Sequence, residues 1–242
     1  MKLFFVILLL LTLIGPVWMI FSGHADLGSD YRTADRSSAH LAPNPETEKN
    51  AVIQVYSARA FNWRGALSTH CWISTKTKDA KNYTVYQVVG WRTFRGLPAL
   101  GIEHDIPDRI WYNQKPRVIL DIRGSEAEKL IPKIDEAAKS YPYAVPYVLW
   151  PGPNSNTFPA YVARQVPELG LALPSDAIGK DFLPGWNMYA KAPSGTGYQI
   201  SLKGLLGVLV ARKEGIEINI LGLVYGIKFA PFSILLPGIG QL

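Results

Sequence analysis

The sequence predicts an α+β protein: an apolar N-terminal helix, a polar spacer, an antiparallel sheet carrying two helices, and an apolar C-terminal β-hairpin. Three observations carry this. Residues 3–21, LFFVILLLLTLIGPVWMIF, contain no charge. From residue 51 onward, short runs rich in β formers alternate with turn-forming clusters, and only two stretches have helical character. Residues 198–229 are strongly apolar but are broken by Lys203, Arg212, Lys213, Glu214 and Glu217, so no part of them is long enough to cross a bilayer.

A chain of 242 residues holds one domain with appendages and can bury a sizeable core. Hydrophobic residues make up 48% and charged residues 18%, an apolar balance that the two chain ends explain. At ~1.5 Å per residue, 3–21 nearly spans a ~30 Å hydrocarbon core. Gly15-Pro16 is an interruption that a membrane helix tolerates, and Trp18 sits where interface aromatics do. Two readings remain: an uncleaved signal anchor, which the length of the run favours, or a secretory signal cut after Ala25. Both expect the bulk of the chain outside the cytoplasm. The anchor reading gives a single-pass inner-membrane protein with its domain in the periplasm, Lys2 marking the inner end.

The net charge of +6 comes from scattered Lys and Arg. It suits a partner such as anionic lipid or an acidic cell-wall component and, with no basic stripe interleaved with aromatics, not nucleic acid. The single Cys71 excludes an internal disulfide. No Cys/His cluster is present, so neither a metal nor another cofactor is expected.

The organisation follows in order. Residues 1–24 form the anchor or signal segment, and 25–50 are polar, turn-rich and aperiodic, reading as a spacer. The core domain is expected over 51–192. Its strands are 51–58, 66–75, 83–91 and 117–122, the second and third joined by a short charged link. Its clearest helix is 125–141, with Ser125 as cap, Glu126 and Glu128 in the first turn, and Leu130, Ile131, Ile134 and Ala138 on one face. A second helix runs from about Ser155 to Val166, because Pro159 is compatible only in a first turn. His104 falls in a turn-rich loop. Residues 193–242 read as a hairpin turning at RKEG and packed on the core, or resting on a bilayer, followed by a loose apolar tail.

Several stretches, VYSARAFNWRGALSTHCWI, VVGW, PDRIWY, PYVLWPGPNSNTF and VPELGLALPSDAIGKDF, resemble the bacterial domain-of-unknown-function family 3750. The resemblance covers residues 51–242 and implies an envelope-associated protein without bringing an activity. A weaker likeness is chemical. A strand with H-x-W-I and a later N-S-x-x-F at a helix start is similar to the circularly permuted papain-like fold of NlpC-type peptidases and lecithin–retinol acyltransferase-like proteins. It implies that His70 takes the histidine position and Ser155 the cysteine position, with Asn154 and Phe158 flanking.

A helix start supplies free N–H groups and a partial positive charge. The amides of Asn156 and Thr157 are therefore the expected oxyanion donors. A serine there needs a base within reach and a group orienting that base. His70 is the candidate base, and Gln87 or, if strand order allows, Asp121 the orienter. The alternative for Ser155 is an ordinary N-cap, and for His70 a buried histidine bonded to backbone. Cys71 must face away from His70 and into the core. Trp63, Trp72, Trp91, Trp111, Tyr143, Tyr147 and Trp150 cluster near these positions in sequence, and Trp72, Trp150 and Asn154 are the candidate walls of a substrate groove. Two functions follow: a membrane-anchored hydrolase or acyltransferase acting on an ester or amide of an envelope component, or a non-catalytic binding or scaffold module on the same fold.

Overall fold

In the computed structural model, residues 2–241 are described, with only the backbone described for 2–6 and 8. The first sheet is built from β1 (Val52–Arg59), β2 (Thr69–Lys76), β3 (Thr84–Val88), β4 (Leu100–His104) and β5 (Arg117–Arg123). Their spatial order is β4-β3-β2-β1-β5 with every pair antiparallel. β1 and β2 are buried along nearly their whole length, because both faces of the sheet are covered.

On one face lie α2 (Ser125–Lys139) and α3 (Thr157–Gln165). Ala127, Leu130 and Ile134 of α2 and Phe158 and Val162 of α3 close over Ile53, Val55, Cys71 and Ile73. Pro159 is the third residue of α3, inside the first turn, where its missing N–H leaves no bond unmade. The start of α2 differs from expectation. Gly124, at φ 70°, is its N-cap and Ser125 is already helical with no capping bond. On the other face Tyr56 and Trp72 stack, joined by Val85, Val89 and Trp111.

β4 lies in a stretch rich in Gly and Pro that reads as a loop. It becomes an edge strand through its pairing with β3, which puts His104 opposite Thr84. Residues 25–50 contain no helix or strand, but they do not stand away from the domain. The buried Asp108 accepts from Ser38 Oγ at 2.8 Å and from the amides of Leu41 and Ala42, and Tyr83 donates to Pro43 O. A spacer free of the domain is therefore corrected to a strap laid along the first sheet.

The C-terminal region departs most from expectation. In place of one hairpin and a loose tail there is a second sheet of seven antiparallel strands in sequence order. They are β6 (Tyr189–Lys191), β7 (Gly197–Leu202), β8 (Leu206–Ala211), β9 (Gly215–Ile220), β10 (Leu223–Phe229), β11 (Phe232–Leu236) and β12 (Gly240–Gln241). Tight turns at Lys203-Gly204 and Leu221-Gly222 use left-handed backbone at both residues of each pair, which makes the hairpins short.

The two sheets are tied by buried polar groups. Arg59 pairs with Asp176 at 3.1 Å and donates to the carbonyls of Gly238 and Ile239. Lys180 pairs with Glu217, and Arg164 donates to Lys180 O and Gln199 Oε1. Burial works against the Lys180 charge, but Asp181 and Glu217 outweigh it and raise its pKa.

Helix α1 (Lys2–Phe21) contains Pro16. It docks on the second sheet through Thr12, which bonds the Tyr225 hydroxyl, and Gly15, where a Cβ would collide with Pro237 O. Among the described residues no helix is long and apolar enough to cross a membrane. The side chains of 3–6 and 8, on which the expectation of a span partly rests, lie outside the described residues.

Candidate active site: an aromatic cavity holding His70 and Ser155

A cavity of about 330 Å³ opens where β2 begins and β3 ends. Its walls are largely aromatic and aliphatic. Trp63, Trp91, Trp111, Tyr147 and Trp150 line it, and Arg64 is the one formally charged side chain on the wall. Two short 3₁₀ turns, Asn62–Ala66 and Gly90–Arg95, carry Trp63, Arg64 and Trp91 to it. Gly90 is required because a Cβ there would lie 2.7 Å from the Tyr147 ring.

His70 and Ser155 both line this cavity. His70 comes from β2 on the face opposite the helices, while its neighbour Cys71 is fully buried on the helix side. Burial pushes the Cys71 thiol up to about 12, so it is an inert core residue rather than a nucleophile. The His70 ring is stacked on Trp111 and lies 5.6 Å from the Trp72 ring. Gln87 is the polar side chain that acts on the imidazole, and Nε2 is buried with no partner. Burial drives the imidazole pKa down to about 3, the Gln87 bond opposing only in part. His70 is therefore neutral at ordinary pH, with its Nε2 unengaged. Asp121, the other conceivable orienter, is held across β1 by Gln54 and Arg123.

Ser155 lies in the turn before α3, half-buried, with its hydroxyl beside that of Tyr147. It does not cap the helix. Asn154 does so through Oδ1, which accepts from the amides of Asn156 at 3.0 Å and Thr157 at 3.3 Å. Those are the two amides expected to serve as oxyanion donors, and here both are engaged. Gly179 makes room for this cap, since a Cβ there would lie 2.1 Å from Asn154 Oδ1.

Asn156 has a structural part of its own. Its Oδ1 accepts from Cys71 N at 3.1 Å, and its Nδ2 donates to Thr69 O at 2.8 Å and Ile178 O at 2.9 Å. It thus grips the backbone on either side of His70 and ties the start of α3 to β2. Trp150 lines the cavity and donates from Nε1 to Leu221 O, whereas Trp72 stands behind His70 and donates to Pro107 O. The elements missed by pattern alone are Arg64, the Tyr147–Ser155 contact, and Leu221 and Leu223 of the second sheet on the cavity wall. Only the glycine of VVGW hints at one of them, by marking a close approach. Among the described residues no group of three His, Cys, Asp or Glu could hold a metal ion.

Fold and cavity together define a two-sheet α+β protein with a neutral histidine and a serine on the wall of an aromatic cavity at the strand ends. Within that class the chain belongs to the family described as protein of unknown function, DUF3750, which matches residues 50–182. The match takes in the first sheet, α2, α3 and most of the cavity, and ends before the second sheet. No curated protein and no solved structure matches the chain.

Proposed function

We propose that the chain is a membrane-anchored envelope hydrolase or acyltransferase acting on an ester or amide, with Ser155 as nucleophile and His70 as base. The observation that carries this reading is the unpartnered Nε2 of a neutral His70 in the cavity that Ser155 also lines. Ser155 Oγ would leave Tyr147, pass its proton to His70 Nε2 and bond to the substrate carbonyl carbon. The leaving group would take that proton as its bond to the carbonyl breaks, and water or an acceptor hydroxyl would then release the acyl group. An imidazole that binds a proton so weakly takes one only as negative charge develops beside it, and Arg64 is the wall's cation for that charge. The apolar lining suits an acyl chain. The arrangement of His70, Ser155 and Gln87 is the ground for likening the fold to the permuted papain-like proteins, and the uncharged run 3–21 the ground for a single-pass inner-membrane site with the domain in the periplasm.

A second reading has its own observation. The Asn156 and Thr157 amides are bound by Asn154, which suits a binding module that keeps the cavity without the chemistry.

Labelling of the full chain with a fluorophosphonate separates the two. The acyl-transfer reading expects labelling that disappears in Ser155→Ala and in His70→Ala and weakens in Gln87→Ala. No labelling of the folded chain, or labelling indifferent to these substitutions, leaves the binding module.

A further inference from the structure

The second sheet is unusual in its outer face. Its inward positions mix polar Gln199, Ser201, Glu217, Asn219 and Ser233 with apolar Leu209, Ala211, Val224 and Leu235, all buried. Its outward positions are apolar in consecutive cross-strand rows. One row runs Tyr189, Ile200, Val208, Ile218 and Tyr225; the next runs Tyr198, Val210, Ile216, Ile227 and Ile234. Ile200 is 63% exposed, Val208 and Ile218 47% each, and Phe232 71%. An apolar outward face over an inner layer rich in polar groups is the pattern of strands that face lipid. An ordinary solvated sheet shows the reverse.

Three further observations say what covers this face. Helix α1 docks at its β10–β11 side and leaves Leu9, Leu10, Leu13, Ile14, Val17 and Trp18 exposed around its remaining circumference. A helix apolar all round suits a hydrocarbon environment. The charge around the face has one sign. Beyond Asp181 the only acidic residues are Glu214 and Glu217, both buried, whereas Lys191, Lys203, Arg212, Lys213 and Lys228 all retain exposure at its strands and turns. A second copy would bring the same basic rim against itself; an anionic lipid surface complements it. Finally, the row Leu202, Leu206, Ile220 and Leu223 ends at the cavity, where Leu223 and the neighbouring turn residue Leu221 form part of the wall.

We propose that the outward face of the second sheet, continued by α1, rests on an anionic bilayer and turns the cavity mouth toward it. Resting on the function proposed above, this narrows the substrate to a bilayer lipid whose acyl chain slides from the face past Leu223 into the aromatic cavity.

The test uses the full chain in vesicles of phosphatidylglycerol and phosphatidylcholine. An environment-sensitive fluorophore is attached through Val208→Cys, Ile218→Cys or, as control, Glu128→Cys on α2; the native Cys71 is buried and will not compete. The expected result is a blue shift and strong quenching by acyl-chain spin-labelled lipid at 208 and 218, absent at 128, and weaker in phosphatidylcholine alone. Labels at 208 and 218 that stay unquenched while the chain is vesicle-bound overturn the proposal. So does concentration-dependent self-quenching at 208 in detergent-free buffer that persists with vesicles, the sign of a second copy on this face. Quenching with an unreactive Ser155 keeps the docking face and removes only the acyl-transfer reading.

Discussion

The imidazole of His70 stacks on the indole of Trp111 with ring centroids 3.8 Å apart and planes 12° apart. Trp111 is stacked in turn against Trp91. The histidine is thereby fixed in orientation and kept from bulk water, with Nε2 unengaged, in a cavity that Ser155 also lines.

That burial predicts a pH signature. The folded pKa of His70 lies near 3, below its usual 6.5, so the neutral ring supports the fold above about pH 6.5. As the pH falls from there toward 3, the unfolded chain binds a proton that the folded chain does not, and stability is lost. The check is the urea midpoint of the wild type and His70→Phe at several pH values. The wild type should lose more stability than the variant on acidification. Equal slopes would mean that His70 is readily protonated in the fold.

Asn156 and Ser155 are neighbours with different duties. Asn156→Ala leaves the amide of Cys71 and the carbonyl of Ile178 unpaired in the interior and takes one of its two donors from the carbonyl of Thr69. At ~1–3 kcal/mol for each stranded group, a loss of about 3 kcal/mol or more is expected. Ser155→Ala removes one hydroxyl contact to Tyr147 and should cost no more than about 1 kcal/mol. Chemical denaturation of the two variants side by side measures the contrast.

The cap belongs to Asn154, so Asn154→Ala should cost about 1–2 kcal/mol and free the amides of Asn156 and Thr157. If those amides serve as oxyanion donors once released, fluorophosphonate labelling of the folded variant will rise rather than fall. A fall with stability barely changed would give Asn154 another part in the site.

Arg59 is the clasp between the sheets. Arg59→Ala strands Asp176, whose carboxyl burial already pushes up against the pull of Arg59, and releases the carbonyls of Gly238 and Ile239. A loss of about 3–5 kcal/mol is expected, with exposure of residues 237–241 to hydrogen exchange first. The double variant Arg59→Met/Asp176→Leu should recover a large part of the loss. If Arg59→Ala alone is neutral, the sheets are held together elsewhere.

Much of the first sheet was legible because its signals are local. β1, β2, β3 and β5 are runs of β formers, α2 declares itself by the spacing of Leu130, Ile131, Ile134 and Ala138, and Pro159 fixes the first turn of α3 within a residue or two. The alternation of His70 and Cys71 was likewise enough to send the thiol to the core. β4 was not legible, because its residues form a strand only through pairing with β3. The second sheet was misread for a related reason: apolar residues at outward positions and polar ones at inward positions look like a broken apolar run when the partner strands are unknown.

The order of residues sufficed to choose an α+β fold, since strand period, helix period and proline geometry act over a few neighbours, whereas His70 and Ser155 were paired by the likeness to the permuted papain-like proteins. Tertiary structure alone decided that Asn154 rather than Ser155 caps α3, that Tyr147 holds the serine, that Asp121 is claimed by Gln54 and Arg123, and that Leu223 reaches the cavity. Apart from the cap, whose bonds are local, each of those outcomes is a competition for one donor, acceptor or void among groups separated along the chain, and the winner is set by distances that exist only once the sheets have closed.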